Sequence, residues 1–236
     1  MRQRRGTALL GCLVAVGIGL LGCGGDTPAT PGIEESSAEE ILDKTRAAAK
    51  AASSFRIAGE VREQGRSAAL DLQFQKAKGA AGTVTVQGMT FEVLVIDQTA
   101  YLKADRSTWE KAGAGQGAQL LVGKYIKLAS GTSGFGDAME FADPAKLLDR
   151  ALTPEGTVVK TGVTEVNGVP AVGLAEEDAD DGILYVATEG EPYPVRVEGP
   201  SGKGSIDFSG WNEPVELTAP PADQVINFED LQDAAA

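Results

Sequence analysis

The sequence predicts one α+β domain, dominated by a long antiparallel β-sheet with a few helices on one of its faces. Apolar and polar residues alternate along two series of short segments, within residues 55–111 and 157–210, and such alternation is typical of half-buried antiparallel strands. Helical patterns occur before and between the two series, near residues 38–52 and 143–152. A sheet with this many strands must curl.

The N-terminal residues have the pattern of a bacterial lipoprotein signal. A basic start at residues 2–5 is followed by an apolar run over residues 8–21, which is too short for a comfortable membrane span. The run ends in Leu20-Leu21-Gly22-Cys23, which matches the lipobox, where the cysteine sulfur receives a diacylglyceryl group and the chain is cut before it. We therefore predict a signal peptide over residues 1–22 and a lipid anchor on Cys23. An ordinary signal peptide with an incidental cysteine is the alternative.

The charge of the chain limits its partners. The net charge is −13, and removal of residues 1–22 takes away three arginines and no acidic residue, so the mature chain carries −16. Nucleic acid and anionic lipid surfaces repel such a chain. We therefore predict no nucleic-acid partner, and a membrane attachment through acyl chains, each buried methylene contributing ~0.8 kcal/mol.

Several absences in the sequence argue against an enzyme. Histidine is absent, which excludes Ser-His-Asp and Cys-His catalysis, histidine metal ligands and a histidine pH switch. The sequence contains neither a Walker loop nor a nucleophile elbow. Cys12 leaves with the signal, so a disulfide within the mature chain is excluded. We predict no enzymatic activity, no metal and no cofactor.

A tether and a helix are predicted to follow the signal. The residues after the cysteine are rich in Gly, Pro, Thr and Ser, so residues 23–37 are predicted to hold the lipidated cysteine and a flexible tether. The domain itself is predicted over residues 38–236. Ser37 and Glu40 form a capping box, and the helix is predicted to end near Ala52. Its apolar stripe consists of Ile41, Leu42, Thr45, Ala48 and Ala49.

The first strand series is predicted to form a meander. Its segments cover residues 55–62, 70–75, 83–87, 89–96, 100–103 and 107–111, and the first two form a hairpin that turns near residues 64–66. The fourth segment has apolar residues on both of its faces. We therefore expect that strand to be covered on both sides.

The region between the two strand series differs from them in its composition. Residues 113–136 contain many glycines around apolar side chains, which predicts a mobile segment and not a regular strand. Asp143 and Pro144 then predict the N-cap and first position of a short helix. The second series is predicted over residues 157–166, 169–175, 182–188, 193–198 and 204–210, followed by residues 215–217 and a terminal turn at 228–231.

Four groups of residues have side chains that could form a metal, phosphate, catalytic or ligand site. The acidic run 176–181 lacks the spacing of a calcium-binding loop and is predicted to be a solvated hairpin loop. The glycine-rich stretch 113–117 lacks the βαβ context of a phosphate site. Glu92 and Asp207 alternate with apolar neighbours, which favours outward-facing acids over a catalytic pair. The aromatic residues that either line a ligand site or, more simply, fill the core are Tyr101, Trp109, Tyr125 and Trp211.

The order of these elements resembles a known family. Lipobox, tether, amphipathic helix and strand motifs look like the actinobacterial LppX/LprG lipoproteins over nearly the whole mature chain, although no single motif is diagnostic. The chain departs from the family in its glycine-rich middle and its acidic surface. The motifs are Ala100-Tyr101-Leu102-Lys103, Ser107-Thr108-Trp109, Gly182-Ile183-Leu184-Tyr185-Val186, Tyr193-Pro194-Val195-Arg196-Val197, Phe208-Ser209-Gly210-Trp211 and an ending over residues 219–225.

The resemblance implies both a fold and a function. The family belongs with the LolA-type carriers, whose strongly curved antiparallel β-sheet forms a half-barrel, with helices on the concave face that enclose an apolar cavity. It implies a lipid-anchored protein on the extracytoplasmic face of the cell membrane. Such a protein binds or transfers acylated lipids or glycolipids across the actinobacterial cell envelope, with a membrane transporter as a further partner. The alternative is a surface sensor or scaffold with a filled core, which binds a protein or peptide.

The strands supply more apolar side chains than the predicted short helices can cover. We expect the surplus to line a pocket of about 1,000 Å³ or more, because two or more acyl chains must fit. Residues 113–136 are the expected lid. The predicted lining residues are Phe55, Ile57, Val61, Leu70, Leu72, Phe74, Val84, Val86, Phe91, Val93, Val95, Leu120, Leu121 and Ile126.

Overall fold

Twelve strands join into one sheet in the part of the chain that the structure describes, residues 32–63, 65–128, 143–177, 182–200 and 203–235. The structure is a computed structural model. The predicted signal peptide, the lipobox and residues 129–142 lie outside these ranges. The strands are β1 (Ser54–Glu63), β2 (Arg66–Gln75), β3 (Gly79–Val86), β4 (Met89–Ile96), β5 (Thr99–Ala104), β6 (Tyr125–Leu128), β7 (Val158–Val166), β8 (Val169–Glu176), β9 (Ile183–Ala187), β10 (Pro194–Glu198), β11 (Gly204–Ser209) and β12 (Val225–Asn227).

The strand order places the start of the domain at the middle of the sheet. The order is β12-β6-β5-β4-β3-β2-β1-β11-β10-β9-β8-β7, so β1 lies between β2 and β11. Neighbouring strands are antiparallel except β12 and β6, which are parallel. The sheet is open and, with its few helices, confirms the predicted α+β half-barrel class.

The described helices are short apart from the first. They are α1 (Ala38–Ala51), α2 (Arg106–Trp109), α3 (Ala118–Leu121), α4 (Pro144–Leu152) and α5 (Phe228–Ala235). Ser37 accepts a hydrogen bond from the Glu40 amide at the start of α1, and Asp143 accepts bonds from two amides at the start of α4. Both predicted N-caps are therefore confirmed. No helix in these ranges is long and apolar enough to cross a membrane.

Two strands contain glycines that let neighbouring backbones approach closely. A Cβ at Gly59 would lie 2.1 Å from the carbonyl oxygen of Ser205, and a Cβ at Gly82 would lie 2.0 Å from that of Asp71. Both glycines have positive φ, +158° and +151°. Only glycine fits such positions, which mark bends in a sheet. They help to explain how a sheet of this width coils into a half-barrel.

The segment predicted as a strand at residues 107–111 is helical. Asp105 caps α2 by accepting a hydrogen bond from the amide of Thr108 at 2.7 Å. The same bond holds the pKa of the Asp105 carboxyl below its usual value. Residues 110–114 form a turn of π-helix that is interrupted at Gly113, and residues 115–117 form a turn of 3-10 helix that leads into α3. The prediction of a strand was wrong because the capping aspartate outweighs the weak strand preference of its neighbours.

The region predicted to be irregular contains a regular strand. Residues 125–128 form β6, which pairs with β5 on one side and with β12 on the other. No strand forms at residues 215–217, and α5 replaces the terminal turn expected at residues 228–231. Pairing with β5 and β12 accounts for β6, and local sequence does not reveal such distant partners. Residues 129–136 of the predicted lid lie outside the described ranges.

The last residues of the predicted tether are folded onto the domain. Residues 33–35 form a turn of 3-10 helix, and Ile33 is buried among residues of α1 and the β8–β9 strands. The amine of Lys160 donates hydrogen bonds to the carbonyl oxygens of Glu34 and Ser36, at 2.8 and 2.9 Å. Residues from Ile33 onward therefore pack against the domain, whose predicted boundary at residue 38 stays a prediction.

Candidate functional site

The inner face of β1–β6 consists of cross-strand rows of side chains. Strand pairing defines these rows, and period-two alternation places them on one face. The first row is Phe55, Phe74, Ala80, Val95, Ala100 and Leu128; the second is Ile57, Leu72, Gly82, Val93, Leu102 and Ile126; the third is Gly59, Leu70, Val84, Phe91 and Ala104; the fourth is Val61, Ala68, Val86 and Met89.

Burial decreases from the first row to the fourth. The side chains of the first two rows are at most 9% exposed. In the third row only Leu70 is as well buried, and every residue of the fourth row is partly exposed. We call the first-row end the closed end and the fourth-row end, beside the Gly65 and Gly88 turns, the open end. The inner face is thus a packed core at one end and an accessible apolar surface at the other.

Trp109 lies beside the third row and has an unusual indole nitrogen. Its ring contacts Phe91 edge-on, with the centroids 5.7 Å apart, and the residue is 5% exposed. The indole Nε1 is buried and has no hydrogen-bond partner among the residues that the structure describes. A buried donor without an acceptor costs roughly 1–3 kcal/mol. An acceptor on a bound molecule would remove this cost.

Aromatic rings pack against one another at the closed end. Phe55 stacks on Phe74 at 4.8 Å and on Trp211 at 5.1 Å, and Trp211 stacks on Tyr193 at 4.5 Å. The Trp211 indole nitrogen donates to the carbonyl oxygen of Pro194 at 3.3 Å. Trp211 therefore fills the core, as the simpler interpretation of the sequence predicted.

A pocket of 480 Å³ lies at the closed end, between α1, α4 and the start of β1. Its volume falls in the range of about 300–1,000 Å³ that is usual for ligand pockets. Phe55 connects it to the first row. The other apolar residues in its wall are Ala49, Ala52, Pro144, Ala145, Leu148 and Leu152. The charged residues that line it are Arg46, Lys50, Lys76 and Asp149.

The predicted cavity residues fall into three groups. Phe55 alone among them lines the 480 Å³ pocket. Leu120 is 74% exposed, whereas the next residue of α3, Leu121, is buried. The partly exposed group is Val61, Val84, Val86 and Phe91, and the buried group is Phe55, Ile57, Leu70, Leu72, Phe74, Leu121, Ile126, Val93 and Val95. That these residues line a lipid cavity stays a prediction.

Sequence reasoning missed the helical walls of the pocket. Arg46 and Lys50 are four residues apart on α1, as are Leu148 and Leu152 on α4, so each pair occupies one helix face. That spacing is visible in the sequence. The proximity of the two helices is not, because it depends on how residues 53–143 return the chain to α1.

The outer face of the sheet carries paired charges. Arg56 and Asp71 make a two-pronged ion pair, with both N–O distances 2.7 Å, and the hydrogen bonds from Arg56 hold the pKa of Asp71 below its usual value. Arg196 and Asp207 pair in the same way. As predicted, the carboxylate of Asp207 faces outward and is engaged structurally.

Glu92 is also engaged on the outer face. Burial alone would raise the pKa of its carboxyl, but hydrogen bonds from Tyr125 at 2.7 Å and Lys103 at 3.2 Å outweigh burial and lower that pKa. Glu176, at the start of the acidic run, accepts a bond from the Glu155 amide, whereas residues 178–181 lie outside the described ranges. Within the ranges, no acidic, cysteine or histidine cluster of three could hold a metal.

Comparison with solved structures identifies the fold. No family model matches the sequence, and no curated protein matches it. The crystal structure of LprF from Mycobacterium bovis covers 79% of this chain and 100% of its own, with a TM-score of 0.55 and 17% sequence identity. The chain has the LprF fold.

A second mycobacterial structure is similar in extent. Lipoprotein LppX from Mycobacterium tuberculosis covers 77% of this chain and 98% of its own, with 16% identity and a TM-score of 0.49. The LprF fold confirms, at the level of architecture, the resemblance drawn from the strand motifs. An identity this low shows the fold and leaves the function to be argued from the chain's own residues.

Proposed function

We propose that the protein is a non-enzymatic lipid carrier, anchored at the extracytoplasmic face of the cell membrane, that binds acylated lipids or glycolipids. One observation carries this proposal: the inner face of β1–β6 is apolar along its whole length, yet its burial decreases from the first row to the fourth. Apolar surface left partly exposed inside a curved sheet is typical of a ligand site. Acyl chains are ligands that such a surface can bind without polar groups.

The distribution of charged groups supports binding over catalysis. In enzymes, groups with displaced pKa values gather in the active-site cleft. In the described part of this chain, they lie on the outer face of the sheet or in the first turn of a helix. The inner face of β1–β6 is lined by apolar side chains and offers no acid or base to a substrate.

Lipid content of the purified domain tests the proposal. The chain from Gly24 to Ala236 contains every described strand and helix, so it serves as the soluble protein. Native mass spectrometry should show it with bound acylated species, which organic extraction removes and which the protein regains from mixed-lipid vesicles. A chain that is folded by circular dichroism, carries no lipid and takes none up from vesicles would exclude the carrier function.

The anchor is tested separately at Cys23. Replacing Cys23 by alanine removes the sulfur that accepts the diacylglyceryl group, so the variant should lack lipidation and lipoprotein-type cleavage. Fractionation and mass spectrometry of the N-terminus measure both. A variant that is still diacylated and cleaved before residue 23 would contradict the assignment. The soluble-domain experiment is independent of this result.

The alternative, a sensor or scaffold with a filled core, has one observation in its favour. The first two rows are already packed, with Phe74 and Ala80 at 0% exposure. A protein filled in this way throughout would bind partners only at its surface. The same mass spectrometry decides between the two functions, because a scaffold is expected to purify without acyl species.

A further inference from the structure

The rim of the 480 Å³ pocket is positively charged in an otherwise acidic protein. Among the described residues, Arg46, Lys50 and Lys76 line the pocket, and Asp149 is the one carboxylate that does so. The whole chain has 34 acidic and 21 basic residues. A local excess of cations in such a chain attracts anions to the pocket.

The two lysines that line the pocket make few hydrogen bonds or ion pairs with the described residues. Among the described residues, the Lys50 side chain has no hydrogen-bond or ion-pair partner. Lys76 donates one hydrogen bond, to the carbonyl oxygen of Lys50 at 2.8 Å, and has no carboxylate partner in the same ranges. An ammonium group has three donors, so at least two remain on Lys76 and three on Lys50.

Arg46 is held more firmly and fixes the pocket wall. Its Nε donates to the carbonyl oxygen of Leu152 at 2.8 Å, and its Nη1 lies 3.1 Å from Asp43. The first bond joins α1 to the end of α4, the two helices that form the wall. Arg46 is therefore a positioning residue, whereas Lys50 and Lys76 are available to a ligand.

We propose that this pocket binds the anionic head group of an amphiphile, with Lys50 and Lys76 as its charge partners and the apolar wall holding the start of one acyl chain. The inference goes beyond the proposed function, because the packed first and second rows separate this pocket from the accessible rows at the open end. The volume of 480 Å³ suits one head group with part of one chain rather than several complete chains. Carboxylate and phosphate heads share this chemistry.

Charge reversal at the two lysines is the test. The chain from residue 24 onward is titrated with three probes of equal acyl length: a fatty acid, a lysophosphatidylglycerol and a neutral monoacylglycerol. Each probe is kept below its critical micelle concentration. The fatty acid and the lysophospholipid separate carboxylate from phosphate recognition. Lys50→Glu combined with Lys76→Glu should weaken binding of the anionic probes roughly tenfold or more and change neutral binding less than about twofold.

A matched control has the same change in charge elsewhere. Lys78→Glu combined with Lys203→Glu alters two exposed lysines that do not line the pocket, and it should leave all three affinities within about twofold. Raising the salt concentration should weaken binding of the anionic probes to the unaltered protein and not to the Lys50/Lys76 variant. Urea denaturation of both variants monitors folding.

The outcomes separate the two proposals. If no probe and no vesicle lipid binds, the carrier function fails. If all probes bind the unaltered protein equally, or the Lys50/Lys76 variant loses stability without losing selectivity, the lysines only stabilise the end of α1 and the head-group inference is overturned while the carrier function stands. If the Lys50/Lys76 variant loses anionic binding selectively and Lys50→Gln, which removes one charge without reversing it, causes a smaller loss of the same kind, the inference is supported.

Discussion

The β8–β9 part and the β1–β6 part of the sheet have the same alternation of apolar and polar residues. Helices cover their inner faces to different extents. Under α1, the inward side chains of β8 and β9, Val172, Leu174, Leu184 and Val186, are at most 9% exposed. On the β1–β6 side, burial is equally complete in the first row and is lost by the fourth. The sheet alone does not bury its inner face; the helices that pack on each part help to decide how much of it is buried.

The helices explain this difference. α1 has 14 residues, a serine N-cap and five buried positions along one face, so it covers β8–β9 continuously. α2 and α3 have four residues each, and the residues they bury are Thr108, Trp109, Ala118 and Leu121. Four-residue helices cannot cover four rows of strands. The uncovered rows are where we place the acyl chains.

The largest expected effect lies under α1. Ile41 is 0% exposed, and Ile41→Ala should lower the free energy of unfolding by about 2–5 kcal/mol. Val61→Ala in the fourth row should cost less than about 1 kcal/mol, because Val61 is partly exposed. Urea denaturation of both variants compares the two sides. Equal losses would show that the fourth row is packed as tightly as the core.

The second prediction separates the closed end from the open end. Val93→Trp places a large ring in the packed second row and should cost about 1–3 kcal/mol. Val86→Trp places the same ring in the fourth row and should cost less than about 1 kcal/mol while blocking lipid uptake from vesicles. Thermal denaturation and uptake are measured on each variant. Unfolding of the Val86 variant would place the fourth row in the core and contradict the carrier function.

The third prediction concerns the unpaired indole of Trp109. Trp109→Phe keeps an aromatic ring against Phe91 and removes the buried N–H. If a ligand carbonyl accepts this bond, binding of ester lipids should weaken about two- to tenfold, the equivalent of roughly 0.5–1.5 kcal/mol. Ether-linked lipids of the same length, which lack the carbonyl, are the control. An equal loss for both lipid types would indicate altered packing instead.

The smallest effect is expected on the outer face. Because Arg56 lowers the pKa of Asp71 in the folded protein, the pair stabilises the fold above the unfolded-state pKa of about 3.9, and this contribution is lost as pH falls through the lower folded value. Both side chains are over 40% exposed, so Asp71→Asn should cost only about 0.5 kcal/mol at pH 7. Denaturation at pH 7 and pH 2.5 should show the difference disappearing in acid.

Strands with clear alternation were predictable, and the reasons are local. The β4 bounds, Met89–Ile96, and the hairpin of β1 and β2 agree with the prediction, because both faces of a strand are encoded in consecutive residues. The N-caps of α1 and α4 were predictable for the same reason. β6 and β12 were not predictable in this way. β6 pairs with β5 and β12, and β12 pairs with β6, so both strands depend on distant partners.

The site was less predictable than the fold. Sequence patterns identified the apolar inner face, but alternation cannot tell a packed row from an open one, because both contain valine, leucine and phenylalanine. The pocket itself is formed by α1 and α4, which lie far apart in the chain. Which cations meet at its rim depends on tertiary structure that single residues do not encode.

The strand order has a consequence for how the protein is made. The central strand β1 requires β11, and β6 requires β12, so each half of the sheet waits for residues near the end of the chain. Contacts so distant in sequence make folding slow. The complete sheet therefore cannot form until nearly all of the chain has been synthesised, although the β1–β5 meander can pair earlier.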